Sequence, residues 1–187
     1  MVSVTSLWAP VLLSAVIVFV ASSLIHMVLR YHRADYRGVP AETEVMEALR
    51  PFNIPVGDYM VPHGGGPEAM KDPAFLEKMN KGPVLTMTVM KGGHFTMGPT
   101  LAQWFAYCVV VGIFAGYVAG AALPPGARYP EVFRFVGTVA FVGYSLALWQ
   151  HSIWYKRSWG TTIRSTIDGL LYGMLTAGTF GWLWPKG

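Results

Sequence analysis

The residues with most capacity for chemistry sit where the chain is otherwise apolar. His151, Arg164 and Asp168 fall within Gln150 to Tyr172 (QHSIWYKRSWGTTIRSTIDGLLY), the stretch that joins the last two apolar segments. An ionisable group at the centre of a membrane helix costs about 2.5 to 3.5 kcal/mol on insertion scales, so such groups face a bundle interior, a wet cavity or a partner. At helical spacing Thr161, Ser165, Asp168, Tyr172 and Thr176 form one polar stripe. Arg164 precedes Asp168 by one helical turn, so the two can pair on that same face. On the first apolar segment Ser22, His26 and Arg30 also share a face.

Several chemistries can use these groups. In a polar binding site or proton-coupled path, Asp168 titrates, Arg164 holds its charge, and Ser165, Tyr172 and Thr176 line a route. In a lipid-modifying enzyme, Asp168 or His151 acts as a base while Arg164 clamps a phosphate or carboxylate. In a haem b protein, His26 and His151 are axial ligands between parallel helices. In an accessory subunit or assembly factor, the Arg164–Asp168 pair fixes how helices dock. The sequence holds no nucleophile elbow, metal triad or phosphate loop. His63 and His94 lie beside glycines with no zinc-site spacing, so they read as solvated loop histidines. Cys108 is the only cysteine, which excludes an intramolecular disulfide and a cysteine-cluster metal site. The expectation is therefore no metal, no assigned catalytic residue and no specified cofactor.

The elements that position these residues follow from composition. The chain has 187 residues, 13% of them charged, and a mean hydropathy of +0.40. Soluble domains carry about 25% charged residues, so a membrane protein is the default. The net charge of +4 collects at segment ends and reads as a topology signal; no nucleic-acid motif accompanies it. Four spans are predicted: Leu7 to Leu29, then 100–123, 132–155 and 162–184. The first lacks the charged start and cleavage site of a signal peptide and is expected to be retained. Gly112, Gly116 and Gly120 give overlapping GxxxG repeats, and Gly169 and Gly173 a further small pair. Such faces admit close approach of a helix from the same chain or from a second copy. Trp149, Trp154, Tyr155 and Trp159 mark one interface, Trp182 and Trp184 the other.

Residues 31–99 are hydrophilic and separate the first helix (1–30) from a three-helix region (100–187). RYHRADYRGVP opens the segment as a basic, aromatic collar of the kind that anchors a helix end in headgroups. Pro40 to Leu49 and Asp72 to Asn80 read as short helices, Asp58 to Val61 and Val84 to Met90 as short strands. At this size the segment is near the lower limit for an independent core and is expected to lie against the membrane. Arg30, Arg33, Arg37, Lys156 and Arg157 outnumber the basic residues of the opposite side, so the rule that positive loops stay inside places 31–99 in the cytoplasm and both termini outside. That topology sets His26, His151, Arg164, Ser165 and Asp168 at one membrane depth, with Gln103 and Trp104 at the same level.

The segments VGYSLALWQHSIWYKRSWGTTIRSTIDGLLYGMLTAGTFGWLWP and SSLIHMVLRYHRADYR resemble a group of small, uncharacterised four-span proteins of the bacterial inner membrane. The resemblance spans nearly the whole chain. It implies one span, a hydrophilic segment and three further spans in a bacterial inner membrane, and assigns no catalytic residue. The expected fold is an all-α membrane protein of four transmembrane helices with a small cytosolic α+β segment between helices 1 and 2. The expected role is an accessory or binding component of a membrane assembly, with the bilayer, other membrane subunits or further copies of itself as partners.

Overall fold

The computed structural model describes every residue of the chain except Phe95. Three helices have the length and apolar character to cross a membrane: Val4–Met27, Met97–Ala122 and Tyr129–Trp154. The first begins as a 3-10 turn, Val4–Leu7, and continues as α1, Trp8–Met27. Pro10 falls within its first α-turn, where a missing N–H costs nothing. The second is α4, Met97–Ala122. The third runs as α5, Tyr129–Ser145, a 3-10 turn at Leu146–Leu148, and α6, Trp149–Trp154. Its start is fixed by Pro130 in the first turn and by Glu131, whose carboxylate accepts from the Arg128 N–H at 3.1 Å. The last long helix, α7, spans Trp159–Leu183. It has comparable length but not the apolar density of the other three, because it carries Arg164, Asp168 and a run of threonines and glycines.

These helices form one unit, Met1–Tyr36 with Thr96–Gly187. Contacts join α1 to α4 and α7, and α5 to α4 and α7, so the cyclic order is α1, α4, α5, α7. The interior is small and partly polar: Ala15, Ala115, Ala119, Ala140, Ala177, Ser14, Ser145 and Thr176 are buried. Leu7, Val18, Val132, Val136 and Phe180 are buried with them, while many other large apolar side chains point outward, among them Leu12, Val16, Val20, Leu24, Phe114, Ile163, Ile167 and Leu170. That arrangement leaves a broad apolar outer surface, as suits helices that can cross a membrane.

Glycines set the helix spacing. A Cβ on Gly112 meets Val11 Cγ1 at 3.4 Å, and one on Gly116 meets Phe180 Cε1 at 3.0 Å and Leu7 Cδ1 at 3.4 Å. Gly120 lies against Val2, whose N–H donates to the Gly120 carbonyl at 2.8 Å. Gly169 faces Ser145, and a Cβ on Gly173 meets backbone atoms of Phe141 and Gly137 at 3.2 and 3.3 Å. All five glycines thus serve contacts within the chain. Between α6 and α7, Trp149 Nε1 donates to Thr166 Oγ1 at 3.0 Å, and the Ser152 and Thr162 hydroxyls share a bond of 2.6 Å.

The second unit, Arg37–Phe95, holds α2 (Glu42–Leu49), β1 (Gly57–Val61), α3 (Pro73–Lys81) and β2 (Leu85–Val89). The strands pair antiparallel with Tyr59 opposite Met87. Asp72 caps α3 by accepting from the Ala74 N–H at 2.9 Å, and Gly82 ends it at φ +61°. Among its described residues none is fully buried, as expected of a segment too small to enclose a core. His63 and His94 are exposed in its loops. The basic collar falls outside this unit: Arg30–Asp35 forms a 3-10 turn that packs on α7.

Candidate functional site

The polar stripe of α7 faces inward. Thr161, Asp168, Tyr172 and Thr176 are buried and Ser165 is half-buried. Among the stripe's hydroxyls, Thr176 Oγ1 donates to the Tyr172 carbonyl at 2.8 Å and Thr161 Oγ1 accepts from Arg164 Nη2 at 3.5 Å.

Asp168 is different. Only 4% of it is exposed, and its two oxygens take partners from a segment more than 130 residues away. The Tyr31 hydroxyl donates to Oδ1, and His32 Nε2 lies 2.7 Å from Oδ2. The other ring nitrogen of His32, Nδ1, lies 2.7 Å from Asp35 Oδ2. Arg164 then closes the set, with Nε and Nη2 donating to Asp35 Oδ1 at 2.8 and 2.5 Å. The chain of contacts is Tyr31–Asp168–His32–Asp35–Arg164.

This corrects the expected Arg164–Asp168 pair. Arg164 pairs with Asp35, and Asp168 pairs with His32 and Tyr31. The reason is geometric. Helical side chains lean toward the helix N-terminus, so the long Arg164 side chain points away from Asp168, which lies one turn further on. A cation preceding an acid by four residues is also the less favourable order for an intrahelical pair.

The 3-10 turn at Arg30–Asp35 makes the rest possible. It follows α1 after Val28 and Leu29 and brings Tyr31, His32 and Asp35 back onto α7. Burial of Tyr31, together with the hydrogen bond and charge of Asp168, raises its hydroxyl pKa above the usual range. Burial alone raises Asp35, but hydrogen bonds from His32 and Arg164 outweigh it and hold the carboxyl below its ordinary value.

His26 joins from the last turn of α1. Its ring stacks on His32 with centroids 4.4 Å apart and 9° between planes. Its Nδ1 lies 3.0 Å from the Ser22 carbonyl, which makes that nitrogen the donor and leaves Nε2 with a free lone pair. Donor atoms of His26, His32 and Asp168 all lie within 4.8 Å of one another. These three could hold a metal ion, a grouping that spacing along the chain does not show.

Beneath Asp168 lies an aromatic layer. Trp104 contacts Tyr107, Tyr144 and Tyr172, and its Nε1 donates to Ser22 Oγ at 2.7 Å. The expectation that Trp104 shares a level with His26 is thus met by a bond to the residue one turn before it. Among the described residues, the Tyr172 hydroxyl and Ser145 Oγ are buried without a hydrogen-bond partner. His151 does not join the cluster. It is exposed on α6, with its ring 5.8 Å from Tyr155.

Reading the sequence singles out His26, Arg164, Ser165, Asp168 and Tyr172 but misses Tyr31, His32 and Asp35. The available signal was a histidine and an acid one turn apart inside an otherwise basic collar. No protein-family model matches this chain, and no match was found among curated proteins or solved structures.

Proposed function

We propose that this chain is a four-span protein of a bacterial inner membrane and an accessory or binding component of a membrane assembly. Its binding centre is the cluster of Tyr31, His32, Asp35, Arg164 and Asp168 at one end of the helix bundle. The observation that carries this reading is the buried Asp168 carboxylate, held on both oxygens by the turn that follows α1. Ionisable groups are retained at such depth where they bind or couple something, and here four of them are arranged around one point.

Treating α7 as the fourth span is supported by its place between α5 and α1 and by exposed Ile163, Ile167, Leu170 and Met174 on its outer side. The positive-inside rule favours the cytoplasm for the cluster's end of the bundle. Arg157 lies over the Tyr36 ring, 5.8 Å from its centroid, so the basic collar and the basic turn before α7 share that end.

The test is native mass spectrometry of the protein extracted gently from its own membrane, as wild type and as Asp168→Asn. The reading expects a companion polypeptide or small ligand on the wild type that the variant loses while keeping its melting temperature. Equal masses for the two proteins, both folded, overturn it.

A further inference from the structure

We propose that His26, His32 and Asp168 bind one divalent first-row transition ion of the zinc class. The inference deepens the binding reading above by naming the ligand, and it rests on that reading for the role of Asp168.

Two imidazoles and a carboxylate are a donor set suited to such ions, and three protein ligands leave a fourth position open for water or an exogenous group. The surroundings match what metal-binding side chains need. A ligating histidine gives its other ring nitrogen to a carboxylate or carbonyl, which fixes the tautomer and aims the lone pair. His32 gives Nδ1 to Asp35, and Asp35 is in turn held by Arg164. His26 gives Nδ1 to the Ser22 carbonyl. Tyr31 occupies Asp168 Oδ1, and the ion takes the place of the proton that His32 Nε2 and Asp168 Oδ2 share, releasing it to solvent. His32 and Asp168 therefore each have an outer polar atom already engaged, while His26 exchanges its bond to Ser22 for the ion as its ring turns.

Distances set what must move. Ligand atoms at about 2.0 to 2.1 Å from a tetrahedral ion stand roughly 3.3 to 3.4 Å apart. His32 Nε2 and Asp168 Oδ2 are 2.7 Å apart, so they need to open by about 0.6 to 0.7 Å. His26 has further to go. A bound ion lies in the plane of each imidazole, and the parallel stack with His32 keeps the two planes apart. The His26 ring must turn about its Cβ–Cγ bond. It is exposed, and its one side-chain hydrogen bond among the described residues is to its own helix. The ion thus enters by swinging one surface histidine onto a preformed pair.

The experiment is Zn2+ titration calorimetry and metal analysis on the full chain in detergent, in a His63→Ala/His94→Ala background that removes the exposed loop histidines. The comparison is with His26→Phe, which keeps a ring against His32 and leaves the Tyr31–Asp168–His32–Asp35–Arg164 contacts intact. The proposal expects one Zn2+ per chain and at least a tenfold loss of affinity in His26→Phe at unchanged melting temperature. His26→Gln, which keeps a polar side chain, serves as the second variant and is expected to show the same loss. Binding that is absent from the parent, or equal in parent and variants, overturns the metal assignment. It leaves the Asp168 reading standing, because that reading is decided by the mass difference between wild type and Asp168→Asn.

Discussion

Arg164 can belong to either of two acids, and a pair of double-mutant cycles decides which. The structure gives it to Asp35, through two N–H groups on one oxygen at 2.8 and 2.5 Å. At an effective dielectric of about 20, opposite charges at that separation attract by roughly 6 kcal/mol before desolvation is counted. The Arg164 side chain is 24% exposed and that of Asp35 12%, so water screens part of this attraction. A coupling energy of about 1 to 3 kcal/mol is expected, which is roughly a fivefold to 150-fold effect on the unfolding equilibrium. Arg164→Gln alone leaves two carboxylates sharing His32, and Asp35→Asn alone leaves a cation without its acid. The double variant removes both and should be less destabilised than the sum of the singles. The assay is reversible unfolding in mixed micelles, followed by tryptophan fluorescence, on the Arg164/Asp35 and Arg164/Asp168 cycles in parallel. A larger coupling to Asp168 than to Asp35 would refute the pairing described here and restore the intrahelical one.

Three further outcomes are expected. Gly173→Val should separate α5 from α7 and lower stability by about 1 to 3 kcal/mol in thermal scans, since the added atoms meet the Phe141 and Gly137 backbone and not a side chain that can turn away. Gly160→Ala is the control, because its Cβ meets only side-chain atoms, the nearest at 3.6 Å, and it should leave the melting temperature unchanged. Trp104→Phe removes the bond to Ser22 Oγ and should cost about 0.6 kcal/mol, the average for side-chain hydrogen bonds in membrane bundles, by the same unfolding assay. Cys108 is 1% exposed, so a water-soluble maleimide should label it in the unfolded chain and not in the folded one.

The helices were legible because apolar runs, prolines and interfacial aromatics are local signals. The 3-10 break at Leu146–Leu148 shifted no boundary that those signals define. Asp168 and Arg164 stood out for the same reason, as charges in apolar surroundings. Their partners did not. Tyr31, His32 and Asp35 lie in a collar whose basic and aromatic composition reads as a headgroup anchor, and nothing in the spacing shows that the chain turns back onto a helix 129 to 137 residues later. The convergence of His26 and Asp168 followed from membrane depth alone, whereas that of His151 did not. Depth fixes a plane, and only packing fixes the position within it. The inward use of Gly112, Gly116 and Gly120 was one of two options in the sequence, and in the structure Val2, Leu7, Val11 and Phe180 lie against them.

The long sequence separation across the cluster has a consequence for biogenesis. The first three long helices are apolar enough to cross a membrane, but the last carries Arg164 and Asp168. Their partners Tyr31, His32 and Asp35 are synthesised 129 to 137 residues earlier. In the four-span arrangement proposed above, the start of the chain therefore has to be in place before the last helix can settle. A chain with an altered collar makes a final helix whose charges have no partner.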